Sequence, residues 1–90
     1  MPSLITTGFY EKRLKLFKKK HPAMREQYLK TILLLGQNPF HPSLRLHKLK
    51  GRLNLYQSVS INMQYRILID FIIQDDQIIL IDIGDHSLYG

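Results

Sequence analysis

Ninety residues without a cysteine exclude a disulfide-stapled scaffold and a thiolate metal site, and they leave room for one small domain (residues 1–90) with a modest core. The apolar content of 44% and charged content of 22% exclude a disordered chain or a membrane bundle. The net charge of +6 is strongly polarised: residues 1–52 carry twelve Lys/Arg against two acids, whereas residues 53–90 carry Arg66 alone against five. A basic half of this kind favours a polyanionic partner, most commonly a phosphate backbone.

No basic segment followed by an apolar stretch and a cleavage site opens the chain, so no secretory leader is expected. Residues 78–81 form an apolar run far too short to span a bilayer. Leu4-Ile5-Thr6 reads as a short first strand. Thr7 then offers an N-cap for a helix running to about Lys20, with Tyr10, Leu14 and Phe17 on one face. His21-Pro22 interrupts it. Proline suits a first helical turn, so a second helix begins there, with Met24, Tyr28, Ile32 and Leu35 as its apolar stripe and Gly36 and Asn38-Pro39 as its stop. Residues 37–50 read as a loop.

From Leu53 the period becomes two. Leu55, Gln57, Val59 and Ile61 alternate with Tyr56, Ser58 and Ser60, as in a strand with one apolar and one polar face. Residues 62–64 form a turn, residues 65–73 a second strand, residues 74–77 a polar turn, and residues 78–83 a third strand. The order is β-α-α-β-β-β, an α+β fold in which a helical hairpin covers an antiparallel sheet. Parity puts Val59, Ile61, Ile67, Ile69, Phe71, Ile79, Ile81 and Ile83 under the helices. Tyr56, Ser58, Ser60, Arg66, Asp70 and Asp82 then share the other face, and His86 joins them if the alternation continues past Gly84.

Two segments hold candidate chemistry. In Ser43–Gly51, "SLRLHKLKG", an imidazole stands among cations and leucines just ahead of the sheet. In "DIGDHSLYG" a second imidazole follows the last strand. His47 among cations suits a base and His86 beside Asp85 suits an acid, which together make an acid–base pair. The competing reading is two exposed loop histidines. His21 and His41 each precede a proline and read as turn or cap residues. Arg66 fits two roles, a structural ion pair with Asp70 or Asp82, or a guanidinium held to grip a phosphate. No Gly-rich phosphate loop, His-Glu-x-x-His or Gly-x-Ser-x-Gly motif occurs, and nothing specifies a metal or cofactor.

"LHKLKGRLNLYQSVSINMQYRILIDF" followed by "IILIDIGDHSLYG" resembles the RelE/ParE superfamily of toxins from type II toxin–antitoxin pairs, closest to its YafQ-like branch. The likeness covers about residues 43–90, and the upstream strand and basic hairpin match the family's element order. It implies a cytoplasmic, ribosome-dependent endoribonuclease that cleaves mRNA by 2′-hydroxyl attack without a metal or other cofactor. The catalytic residues so implied are His47, Arg66 and His86. Lys48, Lys50, Arg52, Ser60, Gln64, Tyr65 and Tyr89 would line the RNA. YafQ-like members carry a histidine where Ser60 stands, an acid at Gln64 and a tryptophan at Tyr65, and Arg66 would offset these losses. The implied partners are a cognate antitoxin with an acidic or amphipathic segment, the ribosome and mRNA, with no membrane. The alternatives are a ParE-like inhibitor of DNA gyrase and a degenerate toxin that binds only its antitoxin.

Overall fold

The computed structural model describes residues 2–72, 74–85 and 88. Strand β1 (Ser3–Thr6) leads into helix α1 (Gly8–Lys20), a 3-10 turn at Pro22–Met24 and helix α2 (Arg25–Gln37). Four strands follow: β2 (His47–Lys48), β3 (Gln57–Ser60), β4 (Arg66–Ile72) and β5 (Gln77–Gly84). They form one five-stranded sheet in the order β1-β5-β4-β3-β2. The β2-β3-β4-β5 portion is antiparallel, as expected, while β1 adds parallel to β5 and makes the sheet mixed.

The sequence starts α1 where the pattern predicts. The Thr7 hydroxyl accepts a hydrogen bond from the Tyr10 amide at 3.1 Å, satisfying one of the first-turn donors that a helix leaves open. Tyr10 and Phe17 of α1 and Tyr28 and Leu35 of α2 are buried against Val59, Ile61, Ile67, Ile69, Ile78, Leu80 and Ile83 of the sheet. Each such side chain contributes about 1.5–3 kcal/mol, so this layer dominates the stability. At the far end of the core, Phe40 stacks on Phe71 with ring centroids 5.7 Å apart, and Leu44 is buried beneath the loop.

Three expectations are corrected. Residues 37–50 are not all loop, because His47–Lys48 pairs with β3 as the edge strand β2. The strand expected from Leu53 starts only at Gln57. Before it, tight turns take the backbone groups, with the Asn54 amide bonded to the Gly51 carbonyl and the Tyr56 amide to the Leu53 carbonyl, so Leu55 is left exposed. Gly51 opens this turn with φ +71°, a left-handed conformation that a Cβ disfavours. Finally, Ile78 and Leu80, not Ile79 and Ile81, lie under the helices with Ile83. A β-bulge causes this: Leu68 opposes Asp82 and Ile69 opposes Leu80, which leaves Ile81 as the extra residue and shifts the phase of β5. Ile73, expected on the packed face, lies outside the described residues.

Inside the core the Tyr10 and Tyr28 hydroxyls lie 2.9 Å apart. Burial pushes the Tyr10 phenol well above its ordinary range, and its hydrogen bond with Tyr28 adds to this. Burial also raises Tyr28, with the Tyr10 hydrogen bond acting the other way. Both phenols stay neutral in the fold, so their contribution is complete below the ordinary phenol range and is lost as the pH rises above it. Tyr10→Phe leaves the Tyr28 hydroxyl buried without this partner. Urea titration at neutral pH should show a loss of about 1–3 kcal/mol with an unchanged denaturant slope.

Candidate active site

The segment 43–51 is held by its leucines. Leu44 enters the core, Leu46 packs against it, and Leu49 is buried. Between these anchors His47, Lys48 and Lys50 are exposed. His47 opposes Ser58 across the β2–β3 ladder, Ser60 opposes Arg66, and Arg66 opposes Gly84. Residues directly opposite in an antiparallel ladder share a face, and so do residues two apart on one strand. His47, Ser58, Ser60 and Arg66 therefore stand together on the sheet face turned away from the helices. His47 and Arg66 are two strand spacings apart across the sheet and two residues apart along it, about 12 Å between their backbones.

Arg66 is oriented by a neutral hydroxyl. Its Nη1 donates to Ser60 Oγ at 2.8 Å. Neither acid proposed for it in the ion-pair reading takes that place. Asp82 Oδ1 instead accepts from Arg13 Nε of α1 at 2.8 Å and also from the Ile83 amide at 2.8 Å. Asp70 stands four residues along β4, about 13 Å away at strand spacing. Asp82 was expected on the Arg66 face, but its side chain engages α1, in the strand region where the bulge breaks the alternation.

Among the described residues, Arg66 Nε and Ser58 Oγ are buried without a hydrogen-bond partner. Unsatisfied buried groups of this kind cost about 1–3 kcal/mol each and are uncommon in folded proteins. Two of them share the face of His47, and the third such atom, Gln57 Oε1, lies on the helix side. His47 is also oriented. Its Nδ1 lies 2.9 Å from the Arg45 carbonyl oxygen. A carbonyl can only accept, so Nδ1 carries a proton, and Nε2 is the nitrogen that can accept whenever the ring is neutral. His41 is the opposite tautomer, because its Nδ1 accepts from the Ser43 amide at 3.2 Å and caps the 3-10 turn Pro42–Leu44.

The remaining expected residues are dispersed. Lys48, one residue on from His47, points to the other side of the edge strand. Lys50 and Arg52 are exposed around the Gly51 turn. Gln64 is exposed in the β3–β4 turn, where its amide donates to Asn62 Oδ1 at 2.8 Å. Tyr65 lies on the helix side, edge-on to Phe17 with centroids 5.2 Å apart, and not beside Arg66. His86 and Tyr89 lie outside the described residues. Gly84 packs closely, since a Cβ there would lie 3.2 Å from a Leu88 methyl. Parity put Ser58 on this face without giving it a role, and the Arg13–Asp82 pair escaped the sequence reading altogether. The Ser58 hydroxyl carried a signal, since it shares parity with Ser60, whereas the Arg13–Asp82 pair spans 69 positions and carried none.

Sequence comparison with family models and with curated proteins finds no match. Comparison of structures does. The chain has the RelE/ParE toxin fold. A metal-bound toxin from Helicobacter pylori superimposes with a TM-score of 0.77 at 21% identity, covering 100% of both chains. YafQ from E. coli strain BL21(DE3) gives 0.73 at 19% identity, again covering 100% of both. A YoeB/ParE toxin from Agrobacterium tumefaciens gives 0.73 at 19% identity, covering 93% of this chain and 98% of its own. The two helices and the sheet are thus matched throughout the chain.

The orphaned hydroxyl yields a stability test. Ser58→Ala removes a buried polar atom that has no partner, so the melting temperature should stay constant or rise. A clear drop would mean that Ser58 serves the fold and not a ligand.

Proposed function

We propose that this protein is the toxin of a type II toxin–antitoxin pair, a metal-independent endoribonuclease that cuts mRNA on the ribosome. One observation carries the reading above all: a guanidinium steered by Ser60, with its Nε unpartnered, on the sheet face that the helices leave open, which it shares with an exposed histidine whose Nδ1 is tied to a backbone carbonyl. The full-length likeness in fold to YafQ and YoeB/ParE toxins supports it.

In this proposal the scissile phosphate lies over β3 and β4. His47 Nε2 takes the proton from the ribose 2′-hydroxyl, whose oxygen attacks phosphorus. Charge builds on the non-bridging oxygens, and Arg66 stabilises it with a rigid, planar donor fork. Ser58 and Ser60 line the strand beneath. The bond from phosphorus to the 5′-oxygen breaks, and that oxygen takes its proton from His86. The products are a 2′,3′-cyclic phosphate and a free 5′-hydroxyl. His47 and His86 are also able to act in exchanged order. Lys48, Lys50 and Arg52 follow the backbone of the message, and Tyr89 stacks on a base.

YafQ has been crystallised with DinJ, and YoeB from Staphylococcus aureus with YefM. A cognate antitoxin for this chain follows by analogy, with an acidic segment complementary to the basic half. The ParE-like alternative shares the fold and would act on gyrase, leaving messages intact.

Expression in cells tests the proposal. The wild-type chain should arrest growth and leave codon-phased mRNA ends. Arg66→Ala and His86→Ala should abolish the arrest while remaining folded by circular dichroism, and His47→Ala should slow cleavage by about 10²–10⁴-fold. Full toxicity of both Arg66→Ala and His86→Ala would refute the assignment, and intact messages with damaged DNA would transfer it to gyrase.

A further inference from the structure

A concave feature distinct from the His47–Arg66 face lies at the end of the sheet where β4 begins and β5 ends, on the helix side. It is a cleft of about 420 Å³ between the C-terminal half of α1 and the strand ends. Its floor is apolar, with Leu16, Phe17 and Ile83. Arg13, Lys19 and Lys20 stand along the α1 wall. His21 and Tyr65 close one end, and Gly84 and Asp85 the other side.

The aromatic end is preorganised. Phe17, His21 and Tyr65 form a three-ring cluster with centroid separations of 5.0, 5.2 and 4.6 Å. The Tyr65 hydroxyl lies 3.3 Å from His21 Nδ1, which links the C-terminal end of α1 to the sheet. His21 is also fixed by its backbone, because its amide caps α1 on the Phe17 carbonyl at 2.8 Å. The His21 and Tyr65 rings are only partly buried, so each keeps surface open to the cleft. Arg13 is tied to Asp82, which leaves Lys19 and Lys20 as the cations on exposed, extendable stems.

We infer that this cleft binds one nucleotide of a single-stranded RNA, with the base stacked on the Tyr65 ring beside the tilted His21 ring and the adjoining phosphates met by Lys19 and Lys20. Flat rings flanked by spaced cations are how proteins hold single strands without reading sequence. The volume suits it, since small-molecule sites run from about 300 to 1,000 Å³. Position suits it too. Tyr65 and Arg66 are consecutive, and alternation sends one side chain to the cleft and the other to the open face. A strand leaving Arg66 around the end of β4 reaches the cleft directly. The inference rests on the open-face reading in taking the ligand to be RNA. It goes beyond it in giving the strand a second, non-catalytic hold on the far side of the sheet.

The test uses a labelled, fully 2′-O-methylated RNA octamer, which lacks the attacking hydroxyl, and fluorescence anisotropy on the full chain. Lys19→Gln/Lys20→Gln changes two exposed side chains. It should weaken octamer binding about tenfold and reduce the salt slope by about 1.4, the share of two single-strand phosphate contacts. In the wild-type chain one abasic position along the octamer should also cost about tenfold, and Tyr65→Leu should abolish that penalty. If the lysine pair and the abasic scan leave binding unchanged while Arg66→Ala weakens it, the cleft inference falls and the open-face reading stands. If Arg66→Ala has no effect while the lysine pair and the abasic position do, the cleft stands and the open-face reading falls. If a Glu/Leu-rich decapeptide binds with the same dependence on Lys19 and Lys20 and the octamer does not bind at all, the cleft accepts an acidic protein segment and the inference is overturned.

Discussion

Everything in this fold depends on how β4 and β5 are paired. Leu80 and Ile83 are three residues apart yet both are buried under the helices, which a regular strand of period two forbids. The extra residue, Ile81, resolves the conflict by advancing the phase once. On one side of the bulge, Ile78 and Leu80 meet Phe71 and Ile69; on the other, Ile83 meets Ile67. The same shift places Gly84 opposite Arg66. A single irregularity thus completes the core and sets the chain's exit beside the candidate site. Asp82 adjoins it and is clamped by Arg13, so α1 is fixed to the sheet at this point.

The two faces of the sheet obey different rules. Under the helices, aliphatic and aromatic side chains pack densely and the Tyr10 and Tyr28 hydroxyls pair with each other, although Gln57 Oε1 is buried there without a partner. On the opposite face the arrangement sacrifices stability. Ser58 is fully buried with its hydroxyl unpartnered, and a guanidinium nitrogen beside it is in the same state. A surface selected for stability alone would have apolar residues at these positions. Polar groups held at that cost, and oriented by neighbours such as Ser60, are what preorganisation for an anionic ligand requires.

Between these faces, the end of the sheet joins two cationic features. Consecutive residues Tyr65 and Arg66 lie on opposite sides of it. The basic residues of α1 are more than a solvated helix face: Arg13 has a structural partner, and Lys19 and Lys20 line a cleft with an aromatic end. His21, read as a cap, is both the cap and part of that aromatic wall.

The sequence by itself determined the elements whose causes are local. The Thr7 cap, the 3.6-residue stripes of α1 and α2, the turn at 62–64 and the alternation of β3 and β4 all depend on residues within a few positions of one another. The leucine anchors flanking His47 and the resemblance to RelE/ParE toxins were legible for the same reason, as ordered local patterns. Tertiary structure alone decided the rest. β2 is too short to show a period and exists only because β3 offers it a ladder. The phase of β5 depends on a bulge set by what β4 and the helices must bury. The partner of Asp82 lies on the first helix, and the tautomer of His47 depends on a backbone carbonyl brought near by the fold. Each of these is a contact between groups whose separation in sequence, or whose angle in space, no periodicity records.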